Sequence, residues 1–201
     1  MTEAKLLIAT TNPGKIKEIQ IFLENLPVPI YSLSHLNIKE FFPEDGQTFL
    51  ENARGKSLFY GRNWGEMILG EDSGLEIDYL DGAPGVLSAR YSDPGATDDR
   101  NIRKVLDLME GVPWEKRTAR FVSCMVLSLK GKILKEIEEH AEGFIALRKI
   151  GENGFGYDPL FFYAPKNATF AQLPTEEKNL ISHRGRALTK LNKYLENHLR
   201  E

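Results

Sequence analysis

The chain has 201 residues, 41% of them hydrophobic and 27% charged, which is enough apolar material for one well-buried core or two small ones. Its 26 Lys and Arg face 29 Asp and Glu, a net charge of −3, so there is no general positive field to hold a nucleic acid duplex. A single cysteine, Cys124, excludes an internal disulfide framework and a cysteine-rich zinc cage and fits a reducing compartment, with the cytoplasm as the expectation.

No apolar run approaches the roughly 18 residues of a membrane span, and the opening MTEAKLLIATTNPGK has the pattern expected of a mature cytosolic N-terminus. Lys5 to Thr10 is a short apolar run ending at turn residues, the pattern of a strand buried on both faces. A helix should follow, capped by Thr11 or Asn12, with Pro13 in its first turn and Ile16, Ile19, Leu23 and Leu26 on one face until Pro27 stops it. Thr48-Phe49-Leu50-Glu51 is a capping box that announces a second helix through Ala53 and Leu58 towards Gly61. Met67 to Leu69 and Leu75 to Leu80 read as two strands around a turn at Glu71-Asp72-Ser73-Gly74.

Gly82-Ala83-Pro84-Gly85 predicts a loop, and Ile102, Val105, Leu106 and Met109 a third helix, capped by Thr97 and closed by Gly111 and Pro113. Ala119 to Leu129 is a long strand that Lys130-Gly131-Lys132 turns into Ile133 to Glu138, a hairpin that makes the sheet mixed. A glycine-rich loop, Gly151 to Tyr157, leads into a strand at Leu160 to Tyr163. The last helix begins near Ser182 and carries Leu188, Leu191, Leu195 and Leu199 on one face. With no repeat or linker, residues 1–201 are expected to form one domain, with room for two lobes.

Four clusters can carry chemistry. Thr10-Thr11-Asn12-Pro13-Gly14-Lys15 places a helix N-terminus and a mobile cation where a polyphosphate would bind, although a plain helix cap with a surface lysine has the same pattern. Glu71 and Asp72 at a strand end suit Mg²⁺ beside a phosphate, or a general base, with Glu44 and Asp45 able to complete a metal site; an Asx-type turn is the plainer reading. Phe155 and Tyr157, spaced by Gly156, offer aromatic faces for a base or pack into the core. Lys178 and Ser182-His183-Arg184 offer polar and cationic groups for ligand recognition, or a solvated helix start. Cys124 reads as an inert packed thiol, and the four histidines lack metal-ligand spacing.

The order TTNPGK, TFLENA at Thr48 to Ala53, EDSGL at Glu71 to Leu75, GAPGVLSARY at Gly82 to Tyr91, NGFGYDPLF at Asn153 to Phe161, then EEK and SHRGRAL resembles the Ham1/inosine triphosphate pyrophosphatase family. The resemblance implies an α/β enzyme with a long mixed β-sheet flanked by helices, two lobes around a central nucleotide-binding cleft, and a homodimer. It implies Mg²⁺-dependent hydrolysis of ITP, dITP and XTP to the monophosphate and pyrophosphate, with no direct nucleic acid or membrane partner. By motif position, Thr10, Thr11, Asn12, Pro13, Gly14 and Lys15 would bind the triphosphate and Asp72 would be the proton acceptor and a metal ligand, with Glu71 and Glu44, from the residue pattern, expected to complete the metal site. Ser73 would touch substrate, and Lys56 and Arg90 would contact phosphate. Phe155, Gly156, Tyr157, Asp158, Lys178, His183 and Arg184 would form the nucleobase site. The chain departs from common bacterial members in having Glu71-Asp72 for Asp-Asp and Glu152-Asn153 before GFGYD. Two other readings are a Maf-like pyrophosphatase of different nucleotide preference, against which the FGYD and Lys/His-Arg set speaks, and a silent nucleotide sensor, against which the carboxylate pair speaks.

Overall fold

The computed structural model describes residues 4–62 and 64–199; the opening residues 1–3, part of the expected mature N-terminus, lie outside them. Strand β1 (Leu6–Ala9) is buried along its whole length, as its continuous apolar run requires. It pairs in parallel with β2 (Ile30–Ser32) on one side and with β3 (Met67–Ile77) on the other, in the registers Leu6↔Ile30 and Leu6↔Met67. β4 (Thr118–Leu129) and β5 (Lys132–Ile145) are joined by Lys130 and Gly131, both at positive φ, a two-residue connection that permits only an antiparallel pair. β6 (Phe161–Tyr163) and β7 (Ala168–Thr169) continue the antiparallel side, with Phe144↔Phe162 and Phe162↔Thr169 opposed. The result is one mixed seven-stranded sheet in the order β2-β1-β3-β4-β5-β6-β7.

Helix α1 (Pro13–Phe22) starts as predicted, with Asn12 Oδ1 accepting from the Lys15 N–H at 3.0 Å and Pro13 in the first turn. It stops at Phe22 rather than running to Pro27. Leu26 and Val28 still enter the core, but from a turn, so the apolar spacing there records burial and not helix. α2 (Phe49–Gly61) has the predicted reciprocal capping box between Thr48 and Glu51, and α3 (Asp98–Leu108) the predicted cap at Thr97. α4 (Thr175–Ile181) was not expected; α5 (His183–His198) was, within a residue.

The largest departure is at Glu71-Asp72-Ser73-Gly74. These residues are the middle of β3, a continuous strand of eleven residues, and no turn interrupts it. Gly70 explains the misreading: a Cβ there would lie 2.1 Å from the Ala53 carbonyl oxygen and 2.8 Å from the Ser57 nitrogen, so the glycine serves a close approach of strand to helix. The predicted strand to Leu80 ends at Ile77, where a 3-10 turn, Asp78–Leu80, takes over.

The chain divides into two compact units, residues 1–72, 123–139 and 184–201 in the first and 73–122 and 140–183 in the second. The first has a core of Leu6, Ile8, Ile19, Leu69, Leu127, Leu188, Leu191 and Leu195, among others, and a smaller cluster around Leu7 and Ile68. The second packs Leu75, Ile102, Val105, Phe121, Phe161 and Phe170. Cys124 is packed into β4 as expected, and burial pushes its thiol well above the ordinary value, which disfavours the reactive thiolate.

Candidate active site

The buried stripe of α2 runs Phe49, Asn52, Ala53, Lys56, Ser57 and Tyr60, the spacing of one helical face. Its apolar members account for packing. Asn52 and Lys56 do not, and both are aimed at Asp72 of β3: Asn52 Nδ2 donates to Oδ2 at 3.0 Å and Lys56 Nζ to Oδ1 at 3.1 Å. Two residues four apart on one helix therefore hold the two oxygens of a single carboxylate. Lys56 also donates to the Glu71 carbonyl at 3.0 Å and pairs with Glu44 at 2.6 Å. Burial pulls the Lys56 pKa down, but Asp72 and Glu44 outweigh it and keep the ammonium above its ordinary value, hence charged.

Adjacent strand residues project to opposite faces, and the Glu71 carboxylate accordingly finds other partners. Arg184, at the start of α5, donates from Nε to Glu71 Oε1 at 3.2 Å and from a terminal nitrogen to Glu18 of α1 at 2.6 Å. Glu71 Oε2 is shut off from solvent and accepts no aligned hydrogen bond; the Lys15 ammonium lies 2.8 Å from it and 4.0 Å from Asp72 Oδ1. Glu71 is completely buried, which pushes its pKa up, yet Lys15 and Arg184 more than compensate and hold it well below the usual carboxylate range. Lys15 reaches both carboxylates.

Three cations, Lys15, Lys56 and Arg184, thus face four carboxylates, Glu18, Glu44, Glu71 and Asp72, all within the first unit. Carboxylates neutralised by lysines offer an incoming divalent cation the oxygen donors it takes. Among the described residues, however, no three His, Cys, Asp or Glu side chains group into a metal cage. Lys56 links Glu44 to Asp72 and Lys15 links Glu71 to Asp72, but the expected three-carboxylate set is not assembled as one cluster. Mg²⁺ needs only one or two protein carboxylates when water and phosphate oxygens supply the rest, so this arrangement is compatible with it.

The N-terminal loop lies in the same unit. Thr10 is buried, its Oγ1 accepting from the Asn12 N–H at 3.3 Å, while Thr11 and Pro13 are exposed and Gly14 and Lys15 half-buried. Asn12 is occupied as the helix cap, so its amide fixes the loop against α1.

In the second unit, Asp158 organises the glycine-rich loop. Its Oδ2 accepts the Phe155 N–H at 3.0 Å and the Lys178 ammonium of α4 at 2.6 Å, and Lys178 also lies 5.1 Å from the centre of the Phe155 ring. Gly154, at φ 77°, has to be glycine, because a Cβ would fall 2.0 Å from that Asp158 oxygen. Gly156 N–H donates to Asp98 at 2.7 Å, and the buried Tyr157 hydroxyl donates to the Ser88 carbonyl at 2.9 Å. Burial pushes the Tyr157 phenol well above its ordinary value, so it remains a donor. His183 stacks on Phe121 with ring centres 4.7 Å apart. A cavity of about 650 Å³ is lined by Asp98, Ile102, Lys149, Glu152, Phe155 and Gly156, among others.

The predicted residues therefore fall into two groups. Lys15, Lys56, Glu44, Glu71 and Asp72 are brought together, as are Phe155, Asp158 and Lys178. Arg184, expected beside Lys178 on the base, is instead held between Glu71 and Glu18. Ser73 is half-buried on β3, and Arg90 is half-buried at the end of a 3-10 turn, Gly85–Arg90. Asn52 and Glu18 were not anticipated. The signal for Asn52 was present: a polar residue in the buried stripe of a helix, one turn from Lys56.

The Ham1 family model matches residues 6–194. The chain belongs to the Ham1 family. It is 46% identical over 190 residues to the dITP/XTP pyrophosphatase of Bacillus subtilis, covering 94% of this chain and 96% of that protein. It is 44% identical over 191 residues to the dITP/XTP pyrophosphatase of Geobacter sulfurreducens, covering 95% and 96%. Among solved structures, the HAM1 protein of Coxiella burnetii superposes with a TM-score of 0.86 at 36% identity over 96% of this chain and 99% of that one. The Staphylococcus aureus Ham1 protein gives the same values. This Ham1 chain thus shares the fold of its relatives, and the sequence resemblance is borne out end to end.

Proposed function

We propose that this chain hydrolyses the triphosphates of deaminated purines, dITP, ITP and XTP, to the monophosphate and pyrophosphate, and so keeps them out of DNA and RNA. The observation that carries the reading is the buried array around Asp72, in which two lysines and an arginine are matched against four carboxylates. Such an array costs desolvation energy that packing alone does not require, and it suits a ligand that brings both negative phosphates and a cation. Full-length similarity to dITP/XTP pyrophosphatases supports the same substrate class.

Asp72 orients and deprotonates the attacking water, its carboxylate held in one rotation by Asn52 and Lys56. Lys15, Lys56 and Arg90 balance charge on the departing pyrophosphate, and Thr10 to Gly14 with Ser73 position the phosphates. Mg²⁺ would be held by Asp72, with Glu71 or Glu44 as a second carboxylate and water or phosphate oxygens completing its shell, and would supply further charge neutralisation. Phe155 offers the base a face, and Gly156, Tyr157, Asp158, Lys178 and His183 shape and read its edge; Arg184 acts on Glu71. Residues 1–201 act as one catalytic domain. The homodimer is carried over from the resemblance, and the cytoplasm from the nucleotide-pool substrate and the lone buried thiol.

The test is kcat/KM for dITP, ITP, XTP, dGTP, dATP and dTTP with Mg²⁺. Activity confined to the deaminated purines supports the reading; a preference for dATP or a pyrimidine triphosphate rejects it. Base choice has its own prediction. Lys178 is a donor only, so it favours a carbonyl at purine position 6 and opposes an amino group. Lys178 stays paired with Asp158 at 2.6 Å whichever base is bound, so the discrimination comes from setting donor against donor at position 6, a mismatch of about 1–3 kcal/mol or roughly 10- to 10²-fold. Lys178→Met should lower kcat/KM for ITP by about 10-fold or more and that for ATP far less. An unchanged ITP to ATP ratio would remove Lys178 from base recognition.

A further inference from the structure

Asn52 is 1% exposed and uses both ends of its amide. Oδ1 accepts the Gly46 N–H at 2.9 Å, which fixes the amide orientation, because a backbone N–H can only donate. Nδ2 must therefore face Asp72, and it donates to Oδ2 at 3.0 Å. Gly46 is fitted to this contact: a Cβ there would lie 2.6 Å from Asn52 Oδ1 and 3.0 Å from Glu51 Cβ. Gly46 stands two residues after Glu44, whose carboxylate pairs with Lys56, and Lys56 binds the other Asp72 oxygen.

We propose that Asn52 is a positioning residue for the hydrolytic reaction, which fixes the rotation of the Asp72 carboxylate and locks the Glu44-bearing loop to it through one two-ended amide. The inference rests on the proposed function, in which Asp72 acts on the attacking water. A carboxylate held at one oxygen only by Lys56 can rotate about its Cβ–Cγ bond, and its lone pair then leaves the line of attack. The second hydrogen bond removes that freedom. No other residue type of this size serves both ends: aspartate keeps the acceptor for Gly46 but sets a second carboxylate against Asp72 where the donor was, and leucine loses both.

The two ends can be separated by measurement. In Asn52→Asp the Gly46 amide keeps its acceptor, so its hydrogen-exchange protection should stay near the wild-type value, while kcat for dITP falls about 10-fold or more and KM changes less than about 3-fold. In Asn52→Leu the Gly46 protection should be lost as well and kcat should fall at least as far. If Asn52→Leu fails to fold, the aspartate variant still decides the matter. Retained kcat in Asn52→Asp, or a rise in KM with kcat unchanged, would make Asn52 a purely structural loop anchor and overturn the proposal. Failure of the wild type to hydrolyse dITP would overturn the function first and this inference with it, so the two failures are distinguishable.

Discussion

Asp72→Asn should lower kcat for dITP by about 10²-fold or more and leave KM within a few-fold. The substitution keeps the size of the side chain and removes its charge and its basicity, the two properties that a water-activating group needs. Lys15 and Lys56 remain as phosphate partners, and loss of the nearby carboxylate frees them for substrate, which offsets the loss of a metal ligand and keeps the effect on binding far smaller than that on turnover. The measurement is steady-state turnover across a range of dITP concentrations. Near wild-type kcat would leave Asp72 as a partner for Asn52 and Lys56 alone, and the base would have to be sought at Glu71 or Glu44.

The second large effect is on stability. Arg184 is a buried cation between two buried carboxylates, Glu71 and Glu18, so Arg184→Met takes one buried cation from both, leaving Glu71 to Lys15. Breaking a buried pair from one side costs about 3–5 kcal/mol, which for a chain of this size lowers the melting temperature by roughly 10 °C. The pH dependence has a definite sign. Lys15 and Arg184 overcome the effect of burial and hold the folded-state pKa of Glu71 below the unfolded one. The stability this supplies is present above the ordinary carboxylate range and is lost as pH falls below it towards the folded pKa. The deficit of Arg184→Met should therefore be largest near neutrality and shrink in acid. Adding Glu71→Gln removes one of the two carboxylates that Arg184 serves, so the double variant should be less destabilised than the sum of the single ones. A deficit independent of pH, with strictly additive variants, would show that Arg184 contributes packing and no charge coupling.

What the sequence made legible follows from which signals are local. Caps at Asn12, Thr48 and Thr97 and the Lys130-Gly131 turn depend on residues within a few positions of each other, and each is found where the pattern placed it. β2 and β7, with three and two residues, are too short for any period to register. Gly70 and Gly74 gave the Glu71-Asp72 stretch the composition of a turn, whereas the strand continues because Gly70 lies against α2 and the two carboxylates are neutralised from distant segments. That neutralisation is long-range: Arg184 is 113 residues from Glu71 and 166 from Glu18, so no spacing rule could pair them. Motif position grouped Arg184 with Lys178 because they are neighbours in sequence. Tertiary structure grouped it with Glu71.

Hydrolysis of dITP in H₂¹⁸O with Mg²⁺, followed by mass analysis of both products, tests the central claim most directly. Attack of water on the α-phosphorus, with pyrophosphate leaving, predicts label in dIMP and none in pyrophosphate. Label in the pyrophosphate would move the attack to the β-phosphorus, and dIDP with orthophosphate as primary products would move it to the γ-phosphorus; either result contradicts the role given to Asp72 and the lysines around it.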